Sequence, residues 1–323
     1  MPAPAAEEAE DDVVAEVEVR YLSQAAQQGG GAVTFSKEHR QQVTQPHLVP
    51  LRNGRLLRND AAQLRESGFA LVPFRSSLAP ELELVENPAV YREGGGPESA
   101  ASARVREAYF RECEGLLRRL TGADEVRAFQ HAVRNGRGSK ASKGVEYLTA
   151  YATFAHCDYT EDFLASAWKV LAKRGVAEAE AKRMTYAFYN VWQPTAHAVE
   201  TAPLALMDWT SAEPREVRAA LLGYNITPMT DKASGKSVKS QAKIAQPTYS
   251  PRHRWYFYPN MQVDEALVFT QVDGRPGYAR HSFHTAVKHQ LKADPLPRQS
   301  IEVRFVCGFL PGNPAAAHGG SRL

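Results

Sequence analysis

Apolar residues along this chain follow two rhythms. In PESAASARVREAYFRECEGLLRRLTG (97–122), Ala103, Val105, Ala108, Tyr109, Cys113, Leu116, Leu117 and Leu120 recur at three- and four-residue steps, and Gly122 follows. That spacing predicts an amphipathic helix closed by a glycine. AAQLRESGFALVPF (61–74) reads as a short helix, a break at Gly68 and a strand, and EDFLASAWKVLAKRG (161–175) as a second amphipathic helix. EPREVRAALLGY (213–224) also predicts a helix. Elsewhere the step is two, or the run is aromatic and β-branched, which predicts strands. These are VVAEVEVRYL (13–22), EVRAFQHAV (125–133), MTYAFYNVWQP (184–194), PLALMDW (203–209), HRWYFYP (253–259), EALVFTQV (265–272) and SIEVRFVCGF (300–309). PHLVPLRNGR (46–55) reads as extended chain with a turn at Asn53-Gly54.

Between these elements the pattern fades. Residues 1–14 are acidic and predict a solvated, disordered tail, leaving 15–323 as a single domain. QQGGGAV (27–33) reads as a connector and NGRGSKASKG (135–144) as a solvated basic loop. The lysine-bearing stretch from about 227 to 251 shows no period and predicts a long surface loop placed to act as a lid. Helices crowd the first half and strands the second. That order predicts an α+β fold with an antiparallel sandwich or barrel and flanking helices, rather than alternating β-α-β units. G-x-G-x-x-G is absent, which further disfavours a dinucleotide fold.

Composition narrows the function classes. Hydrophobic residues make up 43% and charged residues 23%, enough to fill a core. Net charge is +3 from 39 basic and 36 acidic residues, too balanced for a nucleic-acid or anionic-membrane surface. Three scattered cysteines, Cys113, Cys157 and Cys307, form neither a zinc pattern nor a disulfide framework and suggest a reducing compartment. The N-terminus lacks the apolar core of a signal peptide, and no run is long enough to span a bilayer. The expectation is a soluble cytoplasmic protein.

HCDYT (156–160) carries the first candidate chemistry. If it is extended, His156 and Asp158 share a face and Cys157 takes the other. An imidazole and a carboxylate on one face make two-thirds of a facial metal triad. Downstream, HSFHTA offers His281 and His284 as a third ligand, and each could equally be a hydrogen-bonded structural imidazole. Arg298 and Ser300 stand two apart at a strand entrance. A guanidinium fork beside a hydroxyl matches a small carboxylate, although a surface pair would read the same way. Arg304, on the same strand face, is the alternative anchor.

Taken in order, these residues resemble a known family. LRNGRLLRNDAAQLRESGFALV, LLRRLTGADEVRAFQHAVR, HCDYT, NVWQP with PLALMD, HRWYFYPNMQVDEALVF, HTA and PRQSIEVR run from about residue 46 to 309. They are similar to the cephem methoxylase components, AsaB-like hydroxylase/desaturases and gibberellin desaturase proteins. The resemblance implies a double-stranded β-helix (jelly-roll, cupin-like) core and a non-haem dioxygenase using Fe(II), 2-oxoglutarate and dioxygen, with ascorbate as accessory reductant. It implies that His156, Asp158 and His284 hold iron, selecting His284 over His281 by the HTA pattern, and that Arg298 and Ser300 bind the distal carboxylate of 2-oxoglutarate. It implies hydroxylation or desaturation of a small, secondary-metabolite-like molecule.

Several residues remain to be placed beside that set. Asn190 is a further candidate for a cosubstrate contact. Trp192 and Tyr256 read as barrel lining or core. His131 and Arg134 match the family without an assigned role, and His197 and His253 receive none. Two departures stand out: Gln193 replaces the family's usual arginine, and the segment before HRWYFYP is longer. A catalytically silent small-molecule-binding jelly roll and an accessory subunit of a partner enzyme are the competing readings.

Overall fold

A computed structural model describes residues 12–23, 26, 32–34, 43–88, 97–135, 151–223, 229–230, 237–238 and 241–316. Two five-stranded sheets form its frame. The first runs β1 (Val13–Leu22), β3 (Thr44–Asn53), β12 (Trp255–Phe257), β7 (Leu204–Met207), β14 (His284–Ala286). The second runs β4 (Phe69–Pro73), β13 (Glu265–Asp273), β6 (Thr185–Pro194), β15 (Gln299–Phe309), β5 (Glu125–Asn135). Leu204, Leu206 and Tyr256 from the first sheet share one buried cluster with Phe69, Trp192, Leu267 and Phe269 from the second. The sheets therefore face each other, and the fold is the expected double-stranded β-helix.

Pleating decides what faces the interior. Ile301, Val303 and Phe305 of β15 and Val191 of β6 pack outward, in one core with Val105, Tyr109, Cys113, Leu116 and Leu117 of the long helix α2 (Ala100–Thr121). Burying each such aliphatic side chain contributes roughly 1.5–3 kcal/mol. Ser300, Glu302 and Arg304 consequently point the opposite way, between the sheets. The caps of α2 follow the sequence: Ser99 accepts the Ser102 N–H at 3.2 Å, and Gly122 (φ 69°) donates to the Arg118 carbonyl at 3.0 Å. The shorter α1 (Ala61–Ser67) ends at Gly68, whose φ of 90° suits glycine.

Five expectations need correction. Residues 213–224 are not a helix. A capping box between Glu213 and Glu216 closes a single 3-10 turn, Pro214–Glu216, and the chain then runs as β8 (Val217–Gly223). Its antiparallel partner β11 (Gln241–Pro247) pairs with it from Val217↔Pro247 to Gly223↔Gln241. A long-range strand partner overrides local helix propensity here.

The same pairing revises the 227–251 segment, which is not a plain surface loop. It holds the short pair β9 (Met229–Thr230) and β10 (Ser237–Val238), then β11, with Ile244, Ala245 and Gln246 buried. Residues 227–228, 231–236 and 239–240 lie outside the described set. At the N-terminus, β1 starts at Val13 and Asp12 pairs with Arg52, so the expected tail does not reach residue 14; residues 1–11 lie outside the described set. The helix expected over 161–175 is a 3-10 segment, Glu161–Ser166, followed by α3 (Ala167–Ala172), with the short α4 (Glu178–Ala181) after it. In the expected connector, Ala32–Thr34 form β2, parallel to β8. Most of the basic loop, residues 136–144, lies outside the described set.

Candidate active site

HCDYT lies in extended chain between two strands without being a full strand itself. His156 and His284 exchange backbone hydrogen bonds at 3.2 and 3.0 Å. One residue on, Cys157 and Ala245 of β11 do the same at 2.8 and 3.0 Å. The alternation expected of this segment is therefore present. The imidazoles of His156 and His284 lie 4.5 Å apart, centre to centre. Cys157 turns into the apolar cluster of the first sheet, where its thiol donates to the Ser282 carbonyl at 3.2 Å.

Both histidines are buried, and each Nδ1 faces a carbonyl: Phe154 O at 2.9 Å for His156 and Ser282 O at 3.4 Å for His284. A carbonyl only accepts, so each Nδ1 carries the proton and each neutral ring keeps its lone pair on Nε2. Burial lowers the His156 pKa, and burial together with the neighbouring His156 pushes His284 down to about 3. Neutral imidazoles with free Nε2 lone pairs are the form that ligates a metal.

Asp158 sits beside them under a different constraint. Burial raises its pKa, but Arg304, His156 and His284 outweigh that and hold the carboxyl well below the usual range. The Arg304 guanidinium grips it with Nε to Oδ2 at 2.8 Å and Nη2 to Oδ1 at 3.1 Å. Asn190 Nδ2 donates to Asp158 Oδ2 at 3.2 Å and to Glu302 Oε1 at 3.1 Å. The backbone N–H of Asp158 donates to Gln271 Oε1 at 2.6 Å. Among the described residues, no three His, Cys, Asp or Glu side chains stand close enough together to hold a metal ion. The structure thus brings His156 and His284 together and leaves the Asp158 carboxylate on Arg304. The donor types, two neutral imidazoles and one carboxylate, still fit a hard-to-borderline divalent cation such as Fe(II).

Arg298 and Ser300 lie at the entrance of β15, both buried. The Arg298 guanidinium stacks 4.0 Å from the centre of the Tyr151 ring and 5.4 Å from that of Trp192, and its Nη1 donates to the Ala202 carbonyl. Its Nε and the Ser300 Oγ are buried and without hydrogen-bond partners. A buried donor left unmade costs about 1–3 kcal/mol. A carboxylate would satisfy both atoms, so the pair fits the expected cosubstrate anchor.

The remaining candidates separate by strand face. His281 bonds the Gln271 carbonyl at 2.6 Å and packs beside Trp209 and Phe283, whereas His284 meets His156. Gln193 points toward α2: its Oε1 accepts from Tyr109, and its Nε2 donates to the Phe74 and Val263 carbonyls. The departure from arginine there falls on the outer face of β6, opposite Asn190 and Trp192. His131 is also outward, against the Glu86 carbonyl and Phe110, while Arg134 pairs in register with Ser300. His253 joins Tyr21 and Glu216. His197 bonds the neighbouring Ala198 carbonyl. Trp192 and Tyr256 line the interior cluster. Asn190 contacts Asp158 and Glu302, not Arg298.

Sequence reasoning missed Glu302, Gln271, Tyr151 and Phe269, whose ring lies 4.8 Å from His284. Glu302 could have been read from the two-residue step joining Ser300 to Arg304. Gln271 could not, because a register shift between Thr270 and Val272 hides its face.

The role of β11 yields an expected outcome. Ala245→Pro removes the N–H that bonds the Cys157 carbonyl, beside His156. It should cost on the order of 2–3 kcal/mol in a urea titration. It should also weaken Co(II) binding; unchanged binding would show that β11 does not position the histidine segment.

Known proteins resemble this chain along most of its length. Oxidoreductase clz16 of Cochliobolus lunatus is 26% identical over 269 residues, covering 81% of this chain and 85% of that protein. The Fe(II)/2-oxoglutarate-dependent dioxygenase nvfI of Aspergillus novofumigatus is 26% identical over 262 residues, covering 80% and 82%. The solved structure of the iron and alpha-ketoglutarate-dependent endoperoxidase NvfI superposes with a TM-score of 0.66 at 22% identity, covering 92% of this chain and 98% of that one. At that identity the superposition establishes the fold. A family model, described as the oxidoreductase/YMDC permease-like domain, matches residues 19–308, nearly the whole described chain, and this protein belongs to that family.

Proposed function

We propose that this protein is an Fe(II)- and 2-oxoglutarate-dependent oxygenase that hydroxylates or desaturates a small molecule. The observation that carries the reading is the pairing, inside one β-helix, of two neutral imidazoles with a buried guanidinium and hydroxyl whose Nε and Oγ lack partners. His156, Asp158 and His284 would hold the metal, and Arg298 with Ser300 the distal carboxylate of the 2-oxo acid. When bound, iron and 2-oxoglutarate supply C–H oxidation by dioxygen, with decarboxylation to succinate and ascorbate as accessory reductant.

The chain's own part is positioning. The carbonyls of Phe154 and Ser282 fix the imidazole tautomers. Phe269, Trp192 and Tyr256 make the interior apolar and exclude water from the reacting face. Tyr151 and Trp192 hold the guanidinium plane of Arg298. The described residues include no helix long and apolar enough to cross a membrane. The three cysteines are free and buried, which suits a reducing compartment, and we place the enzyme in the cytoplasm.

The test is anaerobic reconstitution with Fe(II), then addition of oxygen and labelled 2-oxoglutarate. Release of labelled succinate that requires both iron and the 2-oxo acid is expected. Iron and 2-oxoglutarate binding without any succinate would instead support a silent binding protein or an accessory subunit.

A further inference from the structure

We propose that Arg304 is a positioning residue that competes with the metal for the Asp158 carboxylate, and that Glu302 is the acceptor onto which Arg304 is released when metal binds. The inference rests on Asp158 being a metal ligand, as proposed above.

The geometry is that of a guanidinium shared between two acids. Arg304 engages both oxygens of Asp158, at 2.8 and 3.1 Å. A planar fork on a carboxylate is a strong, directional pairing. The same Nη2 that bonds Asp158 Oδ1 lies 3.3 Å from Glu302 Oε1. Glu302 and Arg304 stand two apart on β15, hence on one face. Asn190 Nδ2 bridges the same two carboxylates and ties their positions together. Because the Asp158 N–H is fixed on Gln271, its carboxylate can leave Arg304 by side-chain rotation while the backbone stays in place.

Charge balance supplies the reason for release. Without metal, the Arg304 guanidinium lies against both carboxylates, 2.8 Å from Asp158 and 3.3 Å from Glu302. A divalent cation on Asp158 would repel Arg304 and leave it on Glu302. Arg304 had appeared from the sequence as an alternative anchor for 2-oxoglutarate; its fork is instead committed to Asp158.

Anaerobic titration with Co(II) alone tests this on four proteins: wild type, Glu302→Gln, Arg304→Met and the double variant. Arg304→Met should tighten Co(II) binding about tenfold, and Glu302→Gln should weaken it about tenfold, since each tenfold change is about 1.4 kcal/mol. In the Arg304→Met background, the effect of Glu302→Gln should nearly vanish, the signature of coupling between the two. Arg304→Lys, which keeps the charge but loses the fork, should also tighten binding and serves if the methionine variant does not fold. Weaker binding in the Arg304 variants, or an equal Glu302→Gln loss in both backgrounds, would overturn the handover. Asp158→Asn in the same titration separates the two levels. If it leaves Co(II) affinity unchanged, Asp158 is not a ligand and the metal assignment itself fails. If it weakens binding while the cycle stays additive, only the handover fails.

Discussion

His284→Ala is expected to abolish iron retention and succinate release, while His281→Ala keeps iron. The two histidines are three residues apart and both buried, so composition and burial do not distinguish them. Their surroundings do. His284 lies against His156 with its Nδ1 on a carbonyl, whereas His281 is enclosed by Trp209, Phe283 and the Gln271 carbonyl. His156→Ala and Asp158→Ala should behave like His284→Ala. Each removes a donor outright, so the loss should exceed the roughly 10–100-fold typical of removing a ligand's outer partner. Iron content per protein and labelled succinate are the two measurements. His281→Ala should lose stability, because its hydrogen bond and packing are lost, yet bind iron once folded. The opposite pattern would put the second imidazole ligand at His281.

The legible parts of this chain were those set by local pattern. The period of Val105, Tyr109, Cys113 and Leu116, with Gly122 after it, located α2 and its buried face. Two-residue alternation located most strands and put Ser300 and Arg304 on one side of β15. What failed had a distant cause. Residues 217–223 carry helix-compatible sequence and form a strand because residues 241–247 lie alongside. That partner was itself obscured by the lysines before it. The same strand reaches Cys157 and so supports His156, a link between a supposed lid and the paired histidines that no local signal carries. Gln193 shows the reverse case. It stands where the family usually has arginine, but the pleat turns it toward Tyr109, where its amide is fully used. The partnership of Arg304 with Asp158 spans 146 positions and is set by tertiary packing alone.

Arg298→Lys should raise the 2-oxoglutarate requirement by about 10–100-fold and leave iron content unchanged, the effect of losing one charge-assisted hydrogen bond worth about 1.5–3 kcal/mol. The wild-type side chain is buried at 3% exposure, and burial pushes its pKa down to about 10, so it remains charged at neutral pH. One arm is committed to the Ala202 carbonyl, and the plane is held by Tyr151 and Trp192. Nε has no partner, and neither does the Ser300 Oγ. Lysine keeps the charge but has no planar fork, so it cannot serve the Ala202 carbonyl and a ligand carboxylate in the same fixed plane. Ser300→Ala removes a neutral partner and should have the smaller effect, about 3–10-fold, from a hydrogen bond worth roughly 0.5–1.5 kcal/mol. Succinate release against 2-oxoglutarate concentration reads both variants, with a urea midpoint to confirm folding. Since neither residue is assigned to the metal, Co(II) affinity in the absence of 2-oxoglutarate should match wild type. A shifted metal affinity with an unchanged 2-oxoglutarate requirement would remove the anchor from this end of β15.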